Sequence, residues 1–119
     1  MKALLLRFEP IVWLLFGAGM MVGGLVLPAI ILVLGLAAPL GFVPESALAF
    51  ERVHGLAASL PGRLVLAAAV ALPLWGGAHH LRHVWIDFGG LKSDGLVGSL
   101  LYAVALVGSV LAVIAAIRL

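Results

Sequence analysis

Three histidines and an arginine fall within five positions, His79-His80-Leu81-Arg82-His83, in a chain that otherwise avoids polar side chains. Imidazole gives or takes a proton near neutral pH, and guanidinium presents several N–H donors in a fixed fork. On a helix, residues three and four apart share a face. Trp75, His79, Arg82 and His83 therefore form one stripe, with His80 at its edge and Gly76 and Gly77 leaving room beside it. Near a membrane boundary such a stripe suits an amphipathic small molecule, the arginine and imidazoles meeting its polar atoms while Trp75 packs against its apolar part. Three uses of these side chains compete. Trp, His and Arg serve as headgroup anchors at interfaces whatever the function. Haem ligation needs axial ligands on opposite faces of the porphyrin; His79 and His83 lie on one face, too close to serve both, and no other span contains a histidine, so a second ligand would have to come from another chain. A quinone site needs a polar pocket at the membrane edge to hydrogen-bond the ring oxygens while the tail stays in lipid.

The elements that must position this cluster follow from composition. The 119 residues are 65% hydrophobic and 10% charged, with mean hydropathy +1.30. Soluble domains are roughly half apolar and about a quarter charged, so lipid is the expected solvent. Net charge is +2 without clustered basic stretches and interleaved aromatics, which argues against nucleic acid and for lipid headgroups. With no cysteine, the chain itself can supply no disulfide, thiolate metal site, iron–sulfur ligation or cysteine nucleophile. Its first apolar run is far longer than a signal-peptide core of roughly 7–15 residues.

The distribution of charge predicts an all-α membrane protein with three transmembrane helices, over residues 10–37, 61–86 and 95–117, forming a single membrane-anchor domain. Pro61 suits a helix first turn, and Arg63 can reach the headgroups. In the first loop SALAFERVHGLAA, capped by Ser46, reads as a short interfacial helix; DFGGLKSDG reads as a tight polar turn. Pro28 and Pro73 lie inside spans and each should bend its helix. Gly19/Gly23, Ala105/Ser109 and Gly108/Ala112 have the spacing that lets membrane helices approach closely. Lys2, Arg7, Arg82 and Lys92 would share one side, Arg52, Arg63 and Arg118 the other, which favours a cytoplasmic N-terminus. Three helices make a thin bundle, so a partner chain in the membrane is expected.

Several stretches carry a resemblance. EPIVWLLFGAGM at the first span, APLGFVPESALAFERV in the first loop and GRLVLAAAVALPLWGGAHHLRH through the second span together resemble the D subunit of bacterial fumarate reductase, a small hydrophobic anchor of quinol–fumarate reductase. The resemblance implies a complex in the bacterial inner membrane. In it a flavoprotein with FAD reduces fumarate, an iron–sulfur subunit carries the clusters, and two anchors, this one and a second (the C subunit), hold them at the cytoplasmic face. It further implies menaquinol bound at a subunit interface and oxidised near that face in anaerobic respiration, without haem. Carried over by position, Trp13 and Phe16 of the first-span motif and His79 after PLW-G would line the quinol pocket. Where the family pattern has H-R-M-H, this chain has His79-His80-Leu81-Arg82-His83, so the arginine has moved two places, about 200° around the helix. The quinone-binding set is thus Trp13, Phe16, His79, His80 and Arg82, with no catalytic nucleophile and no metal ligand. The alternatives are a succinate dehydrogenase anchor working in the opposite direction, or an unrelated small transporter. A transporter would need polar groups at mid-bilayer, and the span centres lack them.

Overall fold

The computed structural model describes residues 2–119, with side chains from Arg7 onward. It is mostly helical, with no strand among the described residues. α1 spans Lys2–Leu32 and continues as a π-type turn over Val33–Ala37; α2 spans Phe50–Ala58, α3 Leu60–Asp87 and α4 Asp94–Ile117. α1 with its π turn, α3 and α4 are the three helices long and apolar enough to cross a membrane. Helices are the expected outcome in hydrocarbon, where each unpaired peptide group costs several kcal/mol.

The helices α3 and α4 begin and end within one residue of 61–86 and 95–117. The first starts earlier than its sequence reading: the helix begins at Lys2 and runs through Pro10 rather than starting there. Ala3, Leu4, Leu5, Leu6 and Arg7 are good helix formers, and the helix forms ahead of Pro10 although that proline has no amide proton to give. The side chain of Lys2, counted above among the basic residues, lies outside the described ones. Both α1 and α3 pass Pro28 and Pro73 without interruption.

α3 sits between its neighbours, packing against α1 on one side and α4 on the other. Its start is fixed locally. The Ser59 hydroxyl accepts a hydrogen bond from Gly62 N–H at 3.1 Å and donates to the Leu56 carbonyl at 2.6 Å, and Pro61 occupies the first turn, where no amide proton is needed. Ser59→Ala is expected to cost about 1 kcal/mol, which thermal denaturation in detergent would register as a midpoint lower by a few degrees. Arg63 reaches across to the Ile117 carbonyl at 3.2 Å, so the start of α3 and the end of α4 lie at one end of the bundle. At the other end α3 stops with Gly89 in the left-handed region, φ +89°, which a residue with a Cβ adopts only at a cost.

The first loop differs in detail from its reading. Ser46 does not cap the helix; it lies in a 3₁₀ turn over Glu45–Leu48, Ala49 then takes an extended ψ of 138°, and the α-helix begins at Phe50. Pro44 sets the extended entry to the 3₁₀ turn, and Glu51 in the first turn of α2 favours the later start through the helix dipole.

Helix contact is made by small residues. Gly19 is buried against the Leu72 backbone, where an added Cβ would collide with the Leu72 carbonyl oxygen, and Gly76 packs on Gly19 in return. Gly23, the other member of the predicted pair, faces the Pro73 ring. On the other side, Gly108 lies under Leu74, and Trp75 Nε1 donates to Ser109 at 3.1 Å, whose hydroxyl passes the bond to the Ala105 carbonyl at 2.7 Å. This gives the half-buried indole its partner within the bundle. Large side chains face outward, among them Leu14, Met21, Leu25 and Ile31 at about two-thirds exposed or more. The apolar surface is directed at lipid or at other chains, as the thin bundle requires.

Candidate functional site

The polar end of the bundle gathers what α1, α3 and α4 each bring. Trp13 and Phe16, one turn apart on α1, set their rings edge-to-face at a centroid distance of 5.8 Å. His79 of α3 inserts beside both, 5.0 Å from Trp13 and 4.7 Å from Phe16. The chain's one tyrosine, Tyr102 on α4, closes the other side, its hydroxyl 2.9 Å from His79 Nδ1. Enclosed in this way His79 is only 4% exposed, whereas Trp13 keeps half its surface open. His79 Nε2 is buried and has no hydrogen-bond partner among the described residues. Leaving a buried polar group unpaired costs about 1–3 kcal/mol.

The stripe predicted on α3 divides, because the helix has two neighbours on different sides. Trp75 and Arg82, two turns apart, turn to α4; Trp75 bonds Ser109 and stacks on Tyr102 at 6.0 Å instead of facing a ligand. His83 stays beside His79 with ring centroids 4.5 Å apart, a separation that leaves no room for a porphyrin between them. His80 lies at the exposed edge.

Arg82 is held most firmly. Its Nε donates to Asp94 Oδ1 and its Nη2 to Asp94 Oδ2, both at 2.7 Å, and its Nη1 donates to the Tyr102 hydroxyl at 3.4 Å. A bidentate, charge-assisted pair of this kind fixes both side chains. Gly98 makes the crossing feasible: a Cβ there would stand 2.9 Å from Arg82 Nε. Its place on α3 thus sets the arginine against an acidic partner at the start of α4. Sequence reasoning overlooked Asp94 and Tyr102. A charge pair twelve residues apart across a turn and a lone tyrosine in an apolar span were the signals available.

Two crevices open around this group. One, of about 170 Å³, is lined by Phe8, Glu9, Val12, Trp13, His79, Arg82, His83 and Tyr102; the other, of about 190 Å³, by Trp13, Phe16, His79, His80 and His83. Both are open on one side. All five residues named from the sequence, Trp13, Phe16, His79, His80 and Arg82, thus line one or both crevices. Wider grooves elsewhere, such as that between Leu25 and Leu34, are lined by apolar side chains alone.

The family model for the D subunit of fumarate reductase matches residues 6–117. The chain belongs to the fumarate reductase D-subunit family. Among relatives of that name, the protein of Photobacterium profundum is 43% identical over 108 residues, which cover 89% of this chain and 88% of that one. The Vibrio vulnificus protein is 40% identical, with 89% and 84% covered, and the Vibrio cholerae protein 40% identical, with 89% and 81% covered. Membership together with three spanning helices makes the chain a multi-pass membrane anchor subunit of fumarate reductase. Within this anchor, one polar crevice is lined by α1, α3 and α4 and the other by α1 and α3, both at one end, and the opposite end carries Arg52, Arg63 and Arg118 near α2 and the end of α4.

Proposed function

We propose that this anchor attaches the iron–sulfur and flavoprotein subunits to the bacterial inner membrane together with a second hydrophobic anchor, the C subunit. It would also contribute one wall of a menaquinol site in anaerobic fumarate reduction. The observation that carries the reading is the convergence of Trp13 and Phe16 with His79, residues some sixty positions apart in sequence, around a buried imidazole nitrogen that has no partner among the described residues. A ligand oxygen brought to that nitrogen would give it the partner that buried polar groups ordinarily have.

The residues fit a quinol in kind. Trp13 and Phe16 offer flat apolar surface to a ring, His79 and His80 offer nitrogen atoms to its oxygens, and Arg82 lies in the wall, tied to Asp94. When bound, menaquinol supplies two electrons and two protons. The chain's own part is to orient the head group and exclude water; FAD and the iron–sulfur clusters belong to the partner subunits, and this chain has no cysteine to ligate a cluster. Because the crevices are open, the remaining walls come from other chains. The polar end is cytoplasmic, with the N-terminus on that side, and α2 lies along the opposite interface, its Arg52 toward headgroups.

Purification of the tagged chain in mild detergent tests the anchor: co-elution of flavin- and iron–sulfur-bearing subunits is expected, and a lone homo-oligomer would refute it. Orientation has its own test, made clean by the absence of native cysteine. A single cysteine replacing Lys92 should react with an impermeant thiol reagent only from the cytoplasmic side, and one replacing Gly55 only from the periplasmic side; the reverse pattern would place the pocket on the wrong face. A succinate dehydrogenase anchor is the alternative direction of the same chemistry, decided by which reaction the purified complex performs with its native quinone.

A further inference from the structure

The His79 ring can carry its single proton on either nitrogen when neutral, and the choice decides what it offers a ligand. Arg82 has donors only. Its Nη1–H therefore points at the Tyr102 oxygen, which accepts it, while Nε and Nη2 are both committed to Asp94. Tyr102 still has one proton to place, and among the described residues the acceptor within reach of its hydroxyl is His79 Nδ1 at 2.9 Å. Stacking of Trp75 at 6.0 Å and the Arg82 guanidinium 5.8 Å over the ring hold the phenol in that attitude. With Nδ1 accepting, the imidazole proton resides on Nε2, the nitrogen left buried and without a partner among the described residues.

We propose that Asp94, Arg82 and Tyr102 form a positioning chain that locks His79 in its Nε2–H form, so that His79 is a hydrogen-bond donor to a quinone oxygen and not the group that takes the quinol's proton. The role in quinol binding rests on the function proposed above; the tautomer itself does not. Direction runs one way along the chain: the carboxylate fixes the guanidinium, the guanidinium fixes the hydroxyl, and the hydroxyl fixes the imidazole. Tyr102 and Arg82 are thereby positioning residues. Proton acceptance falls to another group at the site, and His79 keeps its own proton while a ligand is bound.

The test uses the assembled four-subunit complex, with quinol-driven fumarate reduction normalised to dye-driven reduction by the same preparation. Glutamine places an amide N–H near the position of Nε2 and cannot act as a base. His79→Gln is expected to keep kcat/KM within about tenfold of the parent, whereas His79→Leu loses about 10²-fold; equal losses in the two would overturn the proposal. Tyr102→Phe is expected to raise KM for quinol several-fold with little change in kcat. The readout independent of turnover is ¹⁵N magnetic resonance of histidine-labelled complex, His79 being assigned by difference against His79→Gln. Protonated Nε2 and bare Nδ1 are expected in the parent, and a mixture of both forms in Tyr102→Phe; a protonated Nδ1 in the parent sinks the proposal. If His79→Leu leaves quinol oxidation unchanged while the tautomer is as stated, the quinol site is misplaced and the positioning chain stands.

Discussion

His79→Leu is expected to cut quinol-driven fumarate reduction by about 10²-fold, equivalent to about 2.7 kcal/mol at the transition state, while the complex still assembles and still reduces fumarate with an artificial dye. The magnitude follows from what the imidazole does. It is 4% exposed and packed between Trp13, Phe16, His83 and Tyr102. Leucine fills part of that volume, so the bundle is not left with a large void, but it removes the donor. A misplacement of about 1 Å in a preorganised site can cost on the order of 10²-fold, and loss of one donor in a water-excluded site costs as much. Trp13→Leu should act in the same direction and more weakly, because it removes one aromatic wall and leaves the polar contact. Membranes carrying each variant, assayed in parallel with quinol and with dye, would check both. Equal rates with quinol in parent and both variants would show that the pocket lies elsewhere.

The second large effect concerns the contact between α1 and α3. Gly19→Leu is expected to separate the two helices. A Cβ at Gly19 meets the Leu72 carbonyl oxygen, a backbone atom within a helix that cannot swing aside as a side chain could, and Gly76 packs just as closely from the other direction. Overpacking costs about 1–3 kcal/mol where side chains can adjust, and here the upper end applies, enough to lower the packed fraction on the order of 10²-fold. Gly24→Ala is the matched control, because nothing lies within 4 Å of the added carbon. The structure supplies its own reporter. An ideal Cβ at Gly23 would stand 3.8 Å from Cβ of Pro73, the mean separation in a disulfide. The pair Gly23→Cys and Pro73→Cys should cross-link on mild oxidation in the parent and in Gly24→Ala, and fail to do so with Gly19→Leu. A cross-link that survives Gly19→Leu would mean that the helices meet in another register.

Much of this was legible in the amino acids. Long uncharged runs between Glu9 and Glu45, between Arg63 and Arg82 and between Asp94 and Arg118 specify where helices must lie, because hydrocarbon leaves the backbone no other way to pair its amides. Trp13 and His79 could be brought together on the strength of membrane depth alone, since a three-span chain returns its second helix to the side from which the first started. Rotation about the helix axis was the harder quantity. The helical period places Trp75, His79, Arg82 and His83 on one stripe, yet α3 faces two neighbours, and which of them each side chain chooses depends on its partner there: Ser109 for Trp75, Asp94 and Tyr102 for Arg82. No period in the sequence of α3 holds that information. The start of α2 was misplaced for a similar reason, the extended Ala49 being set by a short 3₁₀ turn that Ser46 joins rather than caps.

The pairing of Arg82 with Asp94 has a consequence for how this lineage can change. Either charge left alone at the membrane edge would be worse than neither, since removing one partner of a partly buried pair strands the other. The two positions are then free to drift only together, through an intermediate that keeps or loses both. A relative with an arginine at this place on α3 should carry an acid at the mouth of the following helix, and one without the arginine should lack that acid.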